Sequence, residues 1–119
     1  MSEYKLGLVE SKFAEIIWQN EPLASSELAK LAFAELEWKK STTYTVLKRL
    51  CDRGIFINDG GTVKSLISKN DFYALQSEEI VNDSFSGSLP AFVAAFSSRK
   101  KLSDDEINQL QDMINKMRG

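Results

Sequence analysis

The stretch "STTYTVLKRLCDRG" (residues 41–54) decides how the rest of the chain is read. Thr43, Val46, Leu47 and Leu50 recur in it at i, i+3, i+4 and i+7, the spacing of one buried helical stripe. The opposite side carries Ser41, Thr42, Tyr44, Thr45, Lys48 and Arg49, with no acid before Asp52. A solvated helix face usually mixes both charge signs. Hydroxyls, one aromatic ring and two adjacent cations instead suit a hydrogen-bonding or anionic partner. Gly54 is placed to end the helix at 41–53 as a C′ glycine, and Ser41 or a neighbour is its expected N-cap.

Upstream, "LVESKFAEIIWQNEP" (8–22) predicts a helix from Val9 to Asn20, with Phe13, Ile16 and Ile17 inward and Pro22 as the stop. A second helix is expected in "ASSELAKLAFAEL" (24–36), capped by Ser25 or Ser26, with Leu28, Leu31 and Ala32 facing in. Trp18 and Trp38 read as packing anchors. Downstream the period changes. "IFINDGGTVKSLIS" (55–68) is two β-prone runs around Asp59-Gly60-Gly61, a hairpin signal. Gly60-Gly61 reads as hairpin geometry rather than a phosphate cradle, because no helix start follows it. Three helices, the third polar and basic and closed by glycine, then a hairpin, give a winged helix-turn-helix over residues 1–68. The expected fold class is mainly α with a small β-hairpin wing, extended by a C-terminal helical dimerisation segment at 69–119.

That segment holds three apolar-striped stretches. "KNDFYALQSEEIVNDSF" (69–85) breaks at "SGSLP", and "PAFVAAF" (90–96) is a short apolar helix with Pro90 in its first turn. "SSRKK" (97–101) reads as a basic, solvated loop. "SDDEINQLQDMINKM" (103–117) opens with a Ser103–Glu106 capping box and then lines up Ile107, Leu110, Ile114 and Met117. Asp104-Asp105 reads as helix N-terminal charge and Glu78-Glu79 as a solvated face. A unit of roughly 40–50 residues rarely encloses its own core without a staple or a partner. Either these helices pack back on the winged domain or they pair with a second copy. Phe85, Phe92 and Phe96, with the Ile107, Leu110, Ile114 and Met117 stripe, favour a homodimer.

Composition narrows the function. The 119 residues carry a formal net charge of -2, so affinity for nucleic acid has to come from local clustering. With no histidine and one cysteine, a tetrahedral zinc site, a histidine base and an intramolecular disulfide are all unavailable. No metal, no cofactor and no catalytic residue is expected, and the chain does not read as an enzyme. Cys51 beside the buried stripe reads as a small apolar filler. No apolar run approaches the roughly 20 residues that span a bilayer. No export signal is visible at the N-terminus, so a cytoplasmic protein without a membrane partner is expected.

On this layout the helix at 41–53 faces DNA. Ser41, Thr42, Tyr44 and Thr45 lie at its N-terminal end, where a recognition helix meets base edges. Lys48 and Arg49, with Lys39, Lys40, Arg53 and Lys64 nearby, supply charge for phosphates. The alternative is a winged-helix protein–protein interaction module that never touches DNA.

Four stretches in order also resemble the penicillinase-repressor family of transcriptional regulators, the BlaI/MecI type that includes copper-responsive CopY-like repressors. They are "FAEIIWQNEPLASSEL" (13–28), "WKKSTTYTVLKRLCDRGI" (38–55), "SFSGSLPAFVAAF" (84–96) and "LSDDEINQLQDMI" (102–114). The resemblance implies a cytoplasmic homodimer that represses transcription by binding a palindromic double-stranded DNA operator. It places the DNA contacts at Ser41, Thr42, Tyr44, Thr45 and Arg49. Antibiotic-responsive members are cut in the short helix before the last one, and the matching bond is Ala95–Phe96. A regulatory protease would then be a partner; the plainer reading of Phe96 is a packing residue in a dimer helix. Copper-responsive members carry a C-terminal cysteine cluster, and with Cys51 alone that route is not expected.

Overall fold

Burial turns the apolar stripes of the first 68 residues into a closed core, seen in a computed structural model that describes residues 4–119. Helix α1 (Leu8–Asn20) and helix α2 (Ser25–Leu36) flank a two-residue strand β1 (Leu23–Ala24), and helix α3 spans Lys40–Asp52. Strands β2 (Phe56–Asp59) and β3 (Thr62–Ser65) form the hairpin; helices α4 (Lys69–Phe85), α5 (Leu89–Arg99) and α6 (Asp104–Met117) follow. The chain folds as two compact units that part between Glu79 and Ile80, within α4. The architecture is the expected winged helix-turn-helix with further helices after it.

In the first unit, Phe13, Ile16 and Ile17 of α1 meet Leu28 and Ala32 of α2 and Val46, Leu47 and Leu50 of α3. Ile55, Phe56 and Val63 of the hairpin and Phe72 of α4 complete the core. Burying each such side chain stabilises by about 1.5–3 kcal/mol. Trp18 acts as an anchor. Its Nε1 donates to the Ile67 carbonyl at 3.1 Å, and its ring lies 5.3–5.9 Å from those of Phe56, Phe72 and Tyr73.

The wing turns on Gly60 and Gly61, both at positive φ (60° and 96°), as a two-residue hairpin turn requires. The register pairs Asp59 with Thr62 and Phe56 with Ser65. Strand β1 was not expected. Leu23 pairs with Val63 and Ala24 with Thr62, giving an antiparallel sheet in the order β1-β3-β2. Two residues are too short to show an alternating pattern. The Glu21 carboxylate holds this corner by accepting from the Ser65 backbone N–H (2.9 Å) and from its hydroxyl (2.7 Å).

Three local expectations are corrected. Neither Ser25 nor Ser26 caps α2; Ala24 is the N-cap, and the Ser25 N–H instead donates to the Gly61 carbonyl at 2.8 Å, tying the helix to the wing. Ser41 lies inside α3, whose N-cap is Lys39 with no side-chain hydrogen bond. "SSRKK" is not all loop. α5 continues through Arg99, and the Ser97 and Ser98 hydroxyls satisfy themselves on the Val93 and Ala95 carbonyls at 2.8 and 2.7 Å.

In the second unit Ser88 caps α5 from the Ala91 N–H, with Pro90 in the first turn. Ser103 and Glu106 form the expected capping box, and the Ser103 N–H and hydroxyl hold the Glu106 carboxyl below its ordinary pKa. That cap is therefore complete at neutral pH and weakens as pH falls through the lowered value.

One core position is unsatisfied. Thr43 is fully buried, and its hydroxyl finds no partner among the described residues. An unpaired buried hydroxyl costs about 1–3 kcal/mol, and valine has the same shape without it. Thr43→Val should stabilise the protein by about 1 kcal/mol, read as a higher urea midpoint at unchanged m. A lower midpoint would show that the hydroxyl is satisfied in solution.

Candidate nucleic-acid interface

Because Thr43, Val46, Leu47 and Leu50 are buried, the other side of α3 is committed to the surface. Trp38 seats the start of the helix, its ring 5.0 Å from that of Phe13. Ser41, Thr42, Thr45, Lys48 and Arg49 are all exposed on the outer face, as is Lys64 on β3 opposite Ile57. Tyr44 is half-buried and packs against the core, with the Lys40 ammonium 5.9 Å from its ring centre. The sequence-derived cluster is thus brought together along α3, while Lys64 lies on the wing.

Each exposed group has a defined chemistry. The Thr45 hydroxyl donates back to the Ser41 carbonyl at 2.9 Å. A hydroxyl has a single proton to give, so Thr45 presents lone pairs and a methyl group outward. The methyl suits a thymine methyl, and the lone pairs suit a base amino group. The N-terminal end of α3 carries no acid in its first turn and no side-chain cap. Lys39 and Lys40 flank this start, and a helix N-terminus with cations beside it favours an anion.

The two central cations are held differently. Lys48 Nζ lies 3.2 Å from Asp52 Oδ2 on the same helix. Arg49 Nη1 lies 3.4 Å from Glu10 Oε2 of α1. The other oxygen of Glu10 accepts from the Gly7 N–H at 3.3 Å, so one carboxylate caps α1 and latches it to α3. Arg53 adds a second tie, donating to the Lys5 carbonyl at 2.8 Å. Sequence reasoning missed both carboxylates. Asp52 was detectable, four residues after Lys48 on one face; Glu10, 39 positions from its partner, left no local signal.

Cys51 is half-buried at the back of α3. Burial pushes its thiol pKa up, a backbone hydrogen bond from Asn58 lowers it, and the Asp52 charge raises it, for a net increase. A raised thiol pKa disfavours the reactive thiolate. Among the described residues no helix is long and apolar enough to cross a membrane.

Residues 6–116 match the protein family described as "Penicillinase repressor". The methicillin resistance regulatory protein MecI of Staphylococcus aureus is 26% identical, with 95% of each chain covered. The protein of the same name from Mammaliicoccus sciuri is 25% identical over the same share of both chains. The penicillinase repressor of Bacillus licheniformis is 26% identical over 88% of this chain and 85% of its own.

Proposed function

The chain belongs to the penicillinase-repressor family of transcriptional repressors, and from that premise we propose that it is a cytoplasmic homodimer that reads a palindromic DNA operator through the outer face of α3. The observation that carries this reading is the exposed ridge of Ser41, Thr42, Thr45 and Lys48 behind an uncapped, lysine-flanked helix start. In this reading residues 1–68 bind DNA and residues 69–119 assemble the dimer. Roles on α3 divide by position. Thr42, Tyr44 and Thr45 near the N-terminal end read base edges, and Lys48, Arg49 and Lys64 hold phosphates. Two such helices related by a two-fold axis would enter successive major grooves roughly 34–36 Å apart, so the operator is palindromic.

Support for the dimer comes from what the second unit leaves uncovered. No residue from 80 to 119 is fully buried within the single chain. Phe85, Phe92 and Phe96 form a ladder with ring centres 5.5 and 6.4 Å apart. Beside it, Phe92, Val93, Phe96, Leu102, Leu110 and Met113 line a groove of about 320 Å³ between α5 and α6. Ile107, Leu110, Ile114 and Met117 of α6 stay 39–77% exposed. So much apolar surface on one element calls for a cover.

We further propose that, if repression is relieved by a regulatory protease, Ala95–Phe96 is the bond cut; otherwise Phe96 serves only as a packing residue of the dimer helix. This bond lies inside α5, where the Phe96 carbonyl accepts from the Lys100 N–H at 3.0 Å. Proteases take their substrates in extended form, so the last turns of α5 would open before cutting. Cleavage there would separate α6 from the DNA-binding unit and undo the dimer.

Three measurements check these proposals. Thr45→Ala should cost about 1–3 kcal/mol on the operator and little on random duplex, whereas Lys48→Ala should weaken both alike and lower the salt slope by about one unit per contact. If both variants bind as wild type does, α3 does not face DNA and the interaction-module alternative gains. Leu110→Asp combined with Ile114→Asp should sediment as a monomer, because it places charge in a buried seam; a persistent dimer would move the interface elsewhere. Mass spectrometry of the protein from induced cells should show fragments meeting at Ala95–Phe96, and an intact chain would refute cleavage.

A further inference from the structure

Ser41, Thr45, Lys48 and Asp52 recur at i, i+4, i+7 and i+11 and form one exposed ridge along α3. The last of them is out of place for fold stability. Asp52 is the final residue of the helix, where the negative end of the macrodipole disfavours a carboxylate. Its pair with Lys48 runs cation first and acid second, the weaker order for an i,i+4 pair. The two side chains are 78% and 67% exposed, so neither is needed for packing. The Arg49–Glu10 pair differs in kind, because Glu10 is only 25% exposed and also caps α1.

Resting on the reading of α3 as the DNA-facing helix, we propose that Asp52 is a positioning residue for Lys48 whose carboxylate competes with DNA phosphate for the ammonium. Eleven residues of helix rise set Asp52 about 16 Å from Ser41 along the axis. Base edges lie at the N-terminal end of the helix, so this far end passes the sugar–phosphate backbone. A phosphate arriving there meets an ammonium already paired at 3.2 Å, and it must displace a carboxylate of its own charge. Lys48 then releases less binding free energy than a free lysine would. The sequence-independent part of binding is lowered, and occupancy depends more on the contacts made by Thr42 and Thr45.

The test is the affinity of the full chain for operator and for random duplex at several salt concentrations, with Asp52→Asn, Lys48→Ala and the double variant. An exposed pair of this kind is worth about twofold, so a dimer with two α3 helices should gain about fourfold in Asp52→Asn. The gain should appear on both duplexes, with a steeper salt slope, and should shrink toward nothing in the Lys48→Ala background. Unchanged or weaker random-duplex binding by Asp52→Asn would overturn the proposal. So would a loss confined to the operator, which would make Asp52 a reader of a cytosine amino group. A gain that persists without Lys48 would reduce Asp52 to a simple repelling charge and also overturn it. If Thr45→Ala and Lys48→Ala are silent too, the DNA-facing reading of α3 has failed and Asp52 falls with it. If those two variants respond and Asp52→Asn does not, the Asp52 proposal alone is rejected.

Discussion

Burial of Val46, Leu47 and Leu50 against α1 and α2 governs what α3 offers to solvent. A helix repeats every 3.6 residues, so choosing its inward stripe also chooses its outward one. Once those three side chains and Thr43 are inside, the hydroxyls, Lys48 and Arg49 are forced onto the surface together. The polar cluster is thus a by-product of core packing, which fixes the face of α3 from which these side chains project. Loss of that packing would scatter the cluster even if every polar residue remained. The unpaired Thr43 hydroxyl marks the one place where this inward stripe is chemically imperfect.

A second constraint lies behind α3, in the aromatic group around Trp18. Its ring contacts Phe56 of the hairpin and Phe72 and Tyr73 of α4, and its N–H is satisfied by the Ile67 carbonyl. An indole brings a large apolar surface with a single polar group to satisfy. Here both needs are met at the point where the chain leaves the wing and begins α4. The wing is tied at its other edge by β1, which leads directly into α2, and by Glu21.

The two units solve the burial problem differently. The first encloses Phe13, Phe56 and Phe72 completely. The second is built from well-capped helices whose phenylalanines touch one another while much of α6 stays open. Capping fixes where helices start and stop, but it does not supply a core. Local order in residues 80–119 is therefore encoded within the chain, whereas its apolar faces call for something more.

Much of this was legible in the sequence because it rests on local periodicity and backbone chemistry. The buried stripe of α3, the Gly54 stop, the Gly60-Gly61 turn and the Ser103–Glu106 box each depend on residues a few positions apart. Strand β1 was not legible, since a two-residue strand is defined only by the β3 edge it joins. The Ser25 and Ser41 caps failed because each helix starts earlier than its serine: Ser25 is already the first residue of α2 and Ser41 lies inside α3, so the N-cap positions fall on Ala24 and Lys39. The latch from Glu10 to Arg49 and the tie from Arg53 to Lys5 join residues 39 and 48 positions apart, where sequence leaves no pattern to read. The sequence by itself determined which face of α3 is polar. Only the tertiary structure decided that Arg49 is already paired, because its distance to Glu10 exists only after α1 and α3 have packed, whereas the Lys48–Asp52 pair is local to α3.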